Sequence, residues 1–270
     1  MLSPSFRLFP VIWIAVFLLL LSPVIGAEAA AQFMPDTPDE LREQLNEADD
    51  LRATGELRSS LSALRSLERE YPENVDVLWR ISILWVDLST EADQSMSEKN
   101  FAENALEAAE RALEVNSESA WANTARAAAA GQMAMVANST SDEIDHSRDI
   151  EVYAERAIEL DPEADVAYHL RGRWHREVSK LGFVQRTVVR AVYGGLPDAS
   201  IDQAVEDFER AIELEDRSFH HLELARTYVE LDRHEDALQA LERALESPDT
   251  DPFDSIYRSE ARDLLEELEG

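Results

Sequence analysis

From Leu41 onward, apolar residues recur at three- and four-residue spacing almost to the end of the chain, and no stretch alternates apolar and polar positions between turn residues. That pattern predicts helices throughout and no strands. It also repeats at longer range. From about residue 218, Leu224, Ala225 and Tyr228 mark one helix, Asp232 a turn, and Ala237, Leu241 and Ala244 a second helix that closes at Pro248. Ala48, Leu51, Gly55, Ser60, Leu64, Leu67 and Pro72 stand at the same offsets in the first copy. An alanine is needed where two helices touch, and a large side chain must fill the next groove. The second helices of three middle copies read Ala105, Ala109, Ala112; then Ile150, Ala154, Ala157; then Ala204, Phe208, Ala211.

This period of about 34 residues, with these small and large positions, resembles the tetratricopeptide repeat. The expected fold is all-α: an α-α superhelix of tetratricopeptide-like helix pairs with lengthened middle repeats and a C-terminal capping helix over 254–269. Two of the middle copies carry about 11 extra residues, close to three helical turns, which predicts longer helices with turns inside 87–100 and 137–148. The third insertion, 180–198, predicts a short extra helix with Phe183, Val184, Val188, Ala191 and Val192 on one face, Arg186 and Arg190 beside it, and Gly194-Gly195-Leu196-Pro197 at its end. It reads as a lid over the groove ahead of a membrane or partner contact. The cap's apolar positions are Ile256, Leu264, Leu265 and Leu268, and a repeat stack needs such a cap to cover its last unit.

The beginning of the chain reads differently. Arg7, the apolar run 11–21, Ser22-Pro23 and small residues around Ala27 to Ala31 fit an export signal over 1–31, or an N-terminal anchor if it is retained. Residues 32–38 form a linker, with Thr37 or Asp39 as helix N-cap, and 39–270 form the repeat domain. The expected location is therefore exported, periplasmic or cell-envelope, with inner-membrane anchoring as the alternative.

Charge narrows the function classes. With 56 acids against 25 basic residues the net charge is −31, a field that repels phosphate backbones and argues against nucleic-acid binding. The chain has no cysteine, which excludes disulfides, thiol nucleophiles and thiolate metal sites. No glycine-rich phosphate loop, Gly-x-Ser-x-Gly elbow or calcium loop is present. His169 and His175 fall on different helix faces, and His220 and His221 are adjacent and diverge, so no metal or cofactor site and no catalytic constellation is expected.

One stretch opposes the general charge. Between Tyr168 and Gly195 there are six basic residues and one acid, Glu177. First helices line the concave surface of such stacks, which makes His169, Arg173 and Arg176 of the fourth copy, Leu222 and Arg226 of the fifth, and Trp79 of the second the candidate ligand-binding residues, with Arg186 and Arg190 on the insertion. Guanidinium groups bind carboxylate or phosphate in two-pronged fashion. The arginines therefore serve a protein or peptide partner, an anionic lipid, amphiphile or membrane surface, or simply the neighbouring acids.

The run Gly172-Arg173-Trp174 with Glu177-Val178, then Phe183, Arg186, Ala191, Tyr193-Gly194-Gly195, Pro197 and Ala199, leading into Ala204-Val205-Glu206-Asp207-Phe208, is similar to the central signature of the regulator of microtubule dynamics family. The resemblance extends from about Leu78 to Leu245. It implies an all-helical, tetratricopeptide-like domain that acts by binding and has no enzymatic activity. The export-type start and the extreme acidity are departures from the family's animal members.

Overall fold

The computed structural model describes residues 37–92 and 95–270. The proposed export signal and most of the linker lie outside the described residues. Twelve helices and no strand are present among the described residues. Five pairs follow one another: α1 (Asp39–Ala53) with α2 (Leu57–Glu70), α3 (Val75–Glu91) with α4 (Ser95–Val115), α5 (Ala120–Met135) with α6 (Thr140–Leu160), α7 (Asp165–Ser179) with α9 (Ile201–Leu214), and α10 (Ser218–Glu230) with α11 (His234–Glu246). Between the members of the fourth pair lies α8 (Phe183–Tyr193), and α12 (Asp254–Glu269) closes the stack.

Polar caps and small residues explain why the pairs form where they do. The side chains of Asn74, Ser119 and Ser139 accept from the backbone N–H groups of Val77, Ala122 and Asp142, each satisfying a donor that the first helical turn leaves open. The side chain of Thr37 is not a cap; it donates to Asp76 Oδ2 at 2.6 Å, and α1 starts after Pro38 without a side-chain cap. The extra residues of the second and third pairs lengthen α4 and α6 to 21 residues each, against 14 in α2 and 13 in α11. Their contact with α5 runs through alanines: Ala105, Ala109 and Ala112 of α4 and Ala122, Ala125 and Ala127 to Ala130 of α5 are fully enclosed.

In the fourth pair the close approach is made by a glycine. A Cβ on Gly172 would lie 3.1 Å from Phe208 Cε1 and 3.2 Å from Asp207 Cβ, so the Phe208 ring of α9 seats directly on the backbone of α7. From α3 onward each first helix touches the next, and the second helices, each packed on the first helices before and after it, keep one face exposed and form the outer layer. Buried apolar residues of α1 to α3 and of α9 to α12 belong to one continuous cluster that includes Leu45, Ile81, Phe208, Leu222 and Tyr257. An ion pair joins the same two ends: Arg52 of α1 is bound to Asp87 of α3 and lies 3.5 Å from Asp251, just ahead of α12.

The inserted helix is not a lid over the inner surface. Val189 of α8 is buried against Ile144 of α6, with Tyr193 and Leu196 beside it, and α6 belongs to the outer layer. Phe183 and Val184 face solvent instead. On the cap, Tyr257 and Ala261 make the buried contact while Leu264, Leu265 and Leu268 are half-buried; Ile256, predicted on the same face, is 40% exposed.

Candidate functional site

Helices α7 and α10 run side by side in the inner layer, and each carries charged or polar residues at three- and four-residue spacing on the face toward the other. Asp165, His169, Arg173, Arg176 and the C-capping Lys180 form the row on α7, and Arg217, His220, Glu223 and Glu230 the row on and flanking α10. The rows meet in order. Arg217 Nε lies 2.9 Å from Asp165 Oδ2, and His220 Nε2 lies 3.2 Å from the same oxygen. His220 Nδ1 and His169 Nδ1 are 3.1 Å apart. Glu223 Oε2 is 2.5 Å from Arg176 Nη2 and 3.8 Å from Arg173 Nε. Finally, Glu230 meets Lys180 at 2.8 Å and Arg176 at 3.7 Å. Arg226 carries the row on to the cap, 2.6 Å from Glu223 and 2.8 Å from Glu260 of α12.

Burial grades this ladder from one end to the other. His169, Arg173, Arg176, His220 and Glu223 are each less than 5% exposed, whereas the side chains of Lys180, Glu230 and Arg226 are 44%, 28% and 25% exposed. Burial alone would raise the Glu223 carboxyl, but Arg176, Arg173 and Arg226 outweigh it and hold the group well below the usual range. Burial likewise opposes ionisation of Asp165, yet Arg217 and His220 keep it low. Both histidines are pushed down by burial, and at His169 any charge on His220, together with the Arg173 guanidinium, pushes in the same direction. A neutral His220 facing an ionised Asp165 must donate from Nε2, which leaves its Nδ1 to accept the Nδ1–H of His169. The ladder thus fixes two tautomers as well as its charge pairs.

Five of the eight predicted residues lie in or against this assembly. His169, Arg173, Arg176 and Arg226 are its members. Leu222 is 1% exposed and faces the apolar core beside it. Trp79 is elsewhere, fully buried among the second and third pairs, stacked on Trp121 at 4.9 Å with the Arg80 guanidinium 4.1 Å from its ring centroid. Arg186 and Arg190 are on α8 and line a separate recess of about 220 Å³ with Val178, Leu181 and residues 194–198. Sequence reasoning missed Asp165, Arg217, His220, Glu223 and Glu230. The available signal was a carboxylate, Glu223, in the otherwise apolar or neutral run from Phe219 to Ala225, since a lone charge amid buried positions needs a partner.

The Gly-Arg-Trp signature now has a physical account. Gly172 admits Phe208, Arg173 joins the ladder, and Trp174 is buried while donating from Nε1 to Ser147 of α6 at 3.2 Å. Arg171, just before it, ties α7 to Asp207 of α9 and Glu155 of α6.

Among solved structures, a thermophilic TPR protein of Thermus thermophilus superposes with a TM-score of 0.62 over 82% of this chain and 98% of its own, at 16% identity. This likeness shows the tetratricopeptide-type fold. Regulator of microtubule dynamics protein 3 of Mus musculus is 28% identical over 229 residues, covering 83% of this chain and 48% of that protein. Regulator of microtubule dynamics protein 1 of Bos taurus is 28% identical over 249 residues, 91% of this chain and 76% of the relative. The chain therefore spans about half the length of the mouse relative. The family model described as Regulator of microtubule dynamics protein 1-3 matches residues 44–269, and the chain belongs to that family.

Proposed function

We propose that this chain is a non-enzymatic scaffold of the cell envelope, exported by residues 1–31, that engages a protein or peptide partner through the inner side of its helix stack. The half-exposed end of the α7–α10 ladder carries this reading. Buried ion pairs add little net stability over apolar side chains of equal volume, so a ladder this long is poorly explained by stability alone. At its open end Lys180, Glu230, Arg226 and Glu260 alternate in sign and are held in place by buried neighbours, which suits recognition of a chain with complementary charges. An anionic lipid held by Arg173, Arg176 and Arg226 is less favoured, because it would have to displace Glu223, to which all three are directed.

A double exchange tests the proposal. Lys180→Glu with Glu230→Lys preserves the internal pair but inverts the polarity offered to a partner. The exchange also sets an acid beside Glu177 and a base beside Arg176, so some stability is lost; crosslinked capture from the source cells should lose the bound protein in the double variant while its circular dichroism spectrum matches that of the wild type. Unchanged capture would refute the site. A lipid-sized adduct in native mass spectrometry that disappears on Arg226→Glu would favour the lipid instead. N-terminal sequencing of the mature protein tests export.

A further inference from the structure

The large apolar side chains most exposed among the described residues are gathered on one helix. Phe183, Val184 and Val192 of α8 are 85%, 73% and 64% exposed, while none of the others, scattered over four helices, exceeds 49%. Scattered apolar residues need no explanation, but a contiguous group marks a contact surface. At 100° per residue, Phe183, Thr187 and Ala191 form one row and Val184, Val188 and Val192 the adjoining arc, with Arg186 and Arg190 bordering the Phe183 edge. In a chain with 56 acids, α8 contains none.

The helix is held with that arc outward. Val189 anchors its inner side on Ile144, and Arg148 of α6 donates to the carbonyls of Tyr193 and Gly195 at 3.1 and 2.9 Å. Arg186 donates to the carbonyls of Leu181, Val178 and Ser179. Among the described residues no carboxylate pairs with Arg186 or Arg190; both border the recess of about 220 Å³ closed by residues 194–198, where the exposed Asp198 is the one acid in the lining.

We propose that α8 is an interfacial docking helix: its apolar arc enters the outer zone of a lipid bilayer with anionic headgroups, and Arg186 and Arg190 meet lipid phosphates at the rim of the recess. A short amphipathic helix with basic residues at the edge of an apolar face binds in this way. The net charge of −31 opposes approach by most of the surface, but carboxylates more than about 8 Å from the headgroups are screened at physiological salt. An acid-free element is thus the face able to approach. The one hydroxyl on the arc, of Thr187, already donates to Phe183 O at 2.8 Å, so it adds no unsatisfied polar group to a face that enters lipid. Because α8 sits on the outer layer, this contact is independent of the partner reading above.

The absence of cysteine makes site-specific labelling of the full chain straightforward. A polarity-sensitive fluorophore on Val184→Cys should shift to the blue with vesicles of phosphatidylcholine and phosphatidylglycerol, whereas the same label on Ser62→Cys, exposed on α2, should not. This separates α8 from any binding by the apolar run 11–21, which would pellet the protein without moving the label at 184. Adding Arg190→Glu should lower the partition read at 184 about 30-fold, one lost attraction and one new repulsion of about fivefold each. The proposal is overturned if the label at 184 stays aqueous while the protein pellets with vesicles. An equal shift on phosphatidylcholine alone overturns it, as does a shift that grows with protein concentration in the absence of lipid, which would make the arc a contact between copies.

Discussion

Asparagine in place of Asp251 should stabilise the protein at alkaline pH and leave it nearly unchanged in acid. The side chain is fully buried, its Oδ1 accepts the backbone N–H of Phe253 at 2.9 Å, and its other oxygen lies 3.5 Å from Arg52 Nη2. Arg52 favours ionisation of both carboxylates near it, but its close contacts, 2.6 and 3.2 Å, go to Asp87. Burial therefore dominates at Asp251, Asp87 adds repulsion, and the carboxyl is pushed up from 3.8 to about 7. A group whose folded pKa is raised contributes stability in full below its unfolded pKa and loses it as pH rises to the folded value. Here that window runs from about pH 4 to about pH 7. At 1.36 kcal/mol per pKa unit the whole effect is about 4 kcal/mol, of which about 3 kcal/mol falls between pH 5 and pH 8. Urea unfolding of wild type and Asp251→Asn at those two pH values measures it as a difference of differences, which cancels every other titrating group. The variant should gain about 3 kcal/mol on the wild type between the two. A gap that does not change with pH would refute the reasoning, since it would mean that Arg52 compensates Asp251 as fully as it does Asp87.

Gly172→Ala should cost about 1–3 kcal/mol by urea denaturation, because the added methyl group drives into the Phe208 ring and Asp207; a neutral effect would show that α7 and α9 separate freely. Glu223→Gln should cost about 3–5 kcal/mol, since it leaves Arg173, Arg176 and Arg226 converging without their shared carboxylate. A loss below about 1 kcal/mol would mean that Glu177, Glu230 and Glu260 suffice.

Most of the fold was legible because the tetratricopeptide arrangement is written in local spacing. The alanines of α4, α6, α9 and α11 stand where helices touch, and the lengthening of α4 and α6 follows from insertions worth three turns. The end of α8 was legible too: Gly194 and Gly195 have φ of 83° and 91°, a backbone conformation that glycine adopts without strain. The docking side of α8 was not. Its two faces are both apolar in part, and periodicity gives the width of an apolar arc without saying which neighbour covers it. Val189 and Phe183 look equally fit for a core, and Ile144 and Arg148, some forty residues earlier, decide which of them is buried.

The arginines pose the same problem with charge in place of packing. A sequence states that Arg173 and Arg176 lie on one face of a helix; whether that face is an anion site or a satisfied network depends on what lies opposite, and Glu223 stands about fifty residues away. Two features of the sequence nevertheless constrain the answer. Successive first helices in a repeat stack run parallel and side by side, so residues at matching depth along α7 and α10 are brought together by the repeat itself. At matching depth the charges are complementary in four pairs: Asp165 with Arg217, Arg173 and Arg176 with Glu223, and Lys180 with Glu230. A one-turn slip in either direction would take Glu223 away from Arg173 and leave that buried guanidinium opposite a neutral position, His220 or Thr227, at the cost of an uncompensated buried charge. The ladder therefore sets how the fourth and fifth pairs align, and Lys180, Glu230, Arg226 and Glu260, where it reaches solvent, present a charge pattern that the buried rungs hold in place.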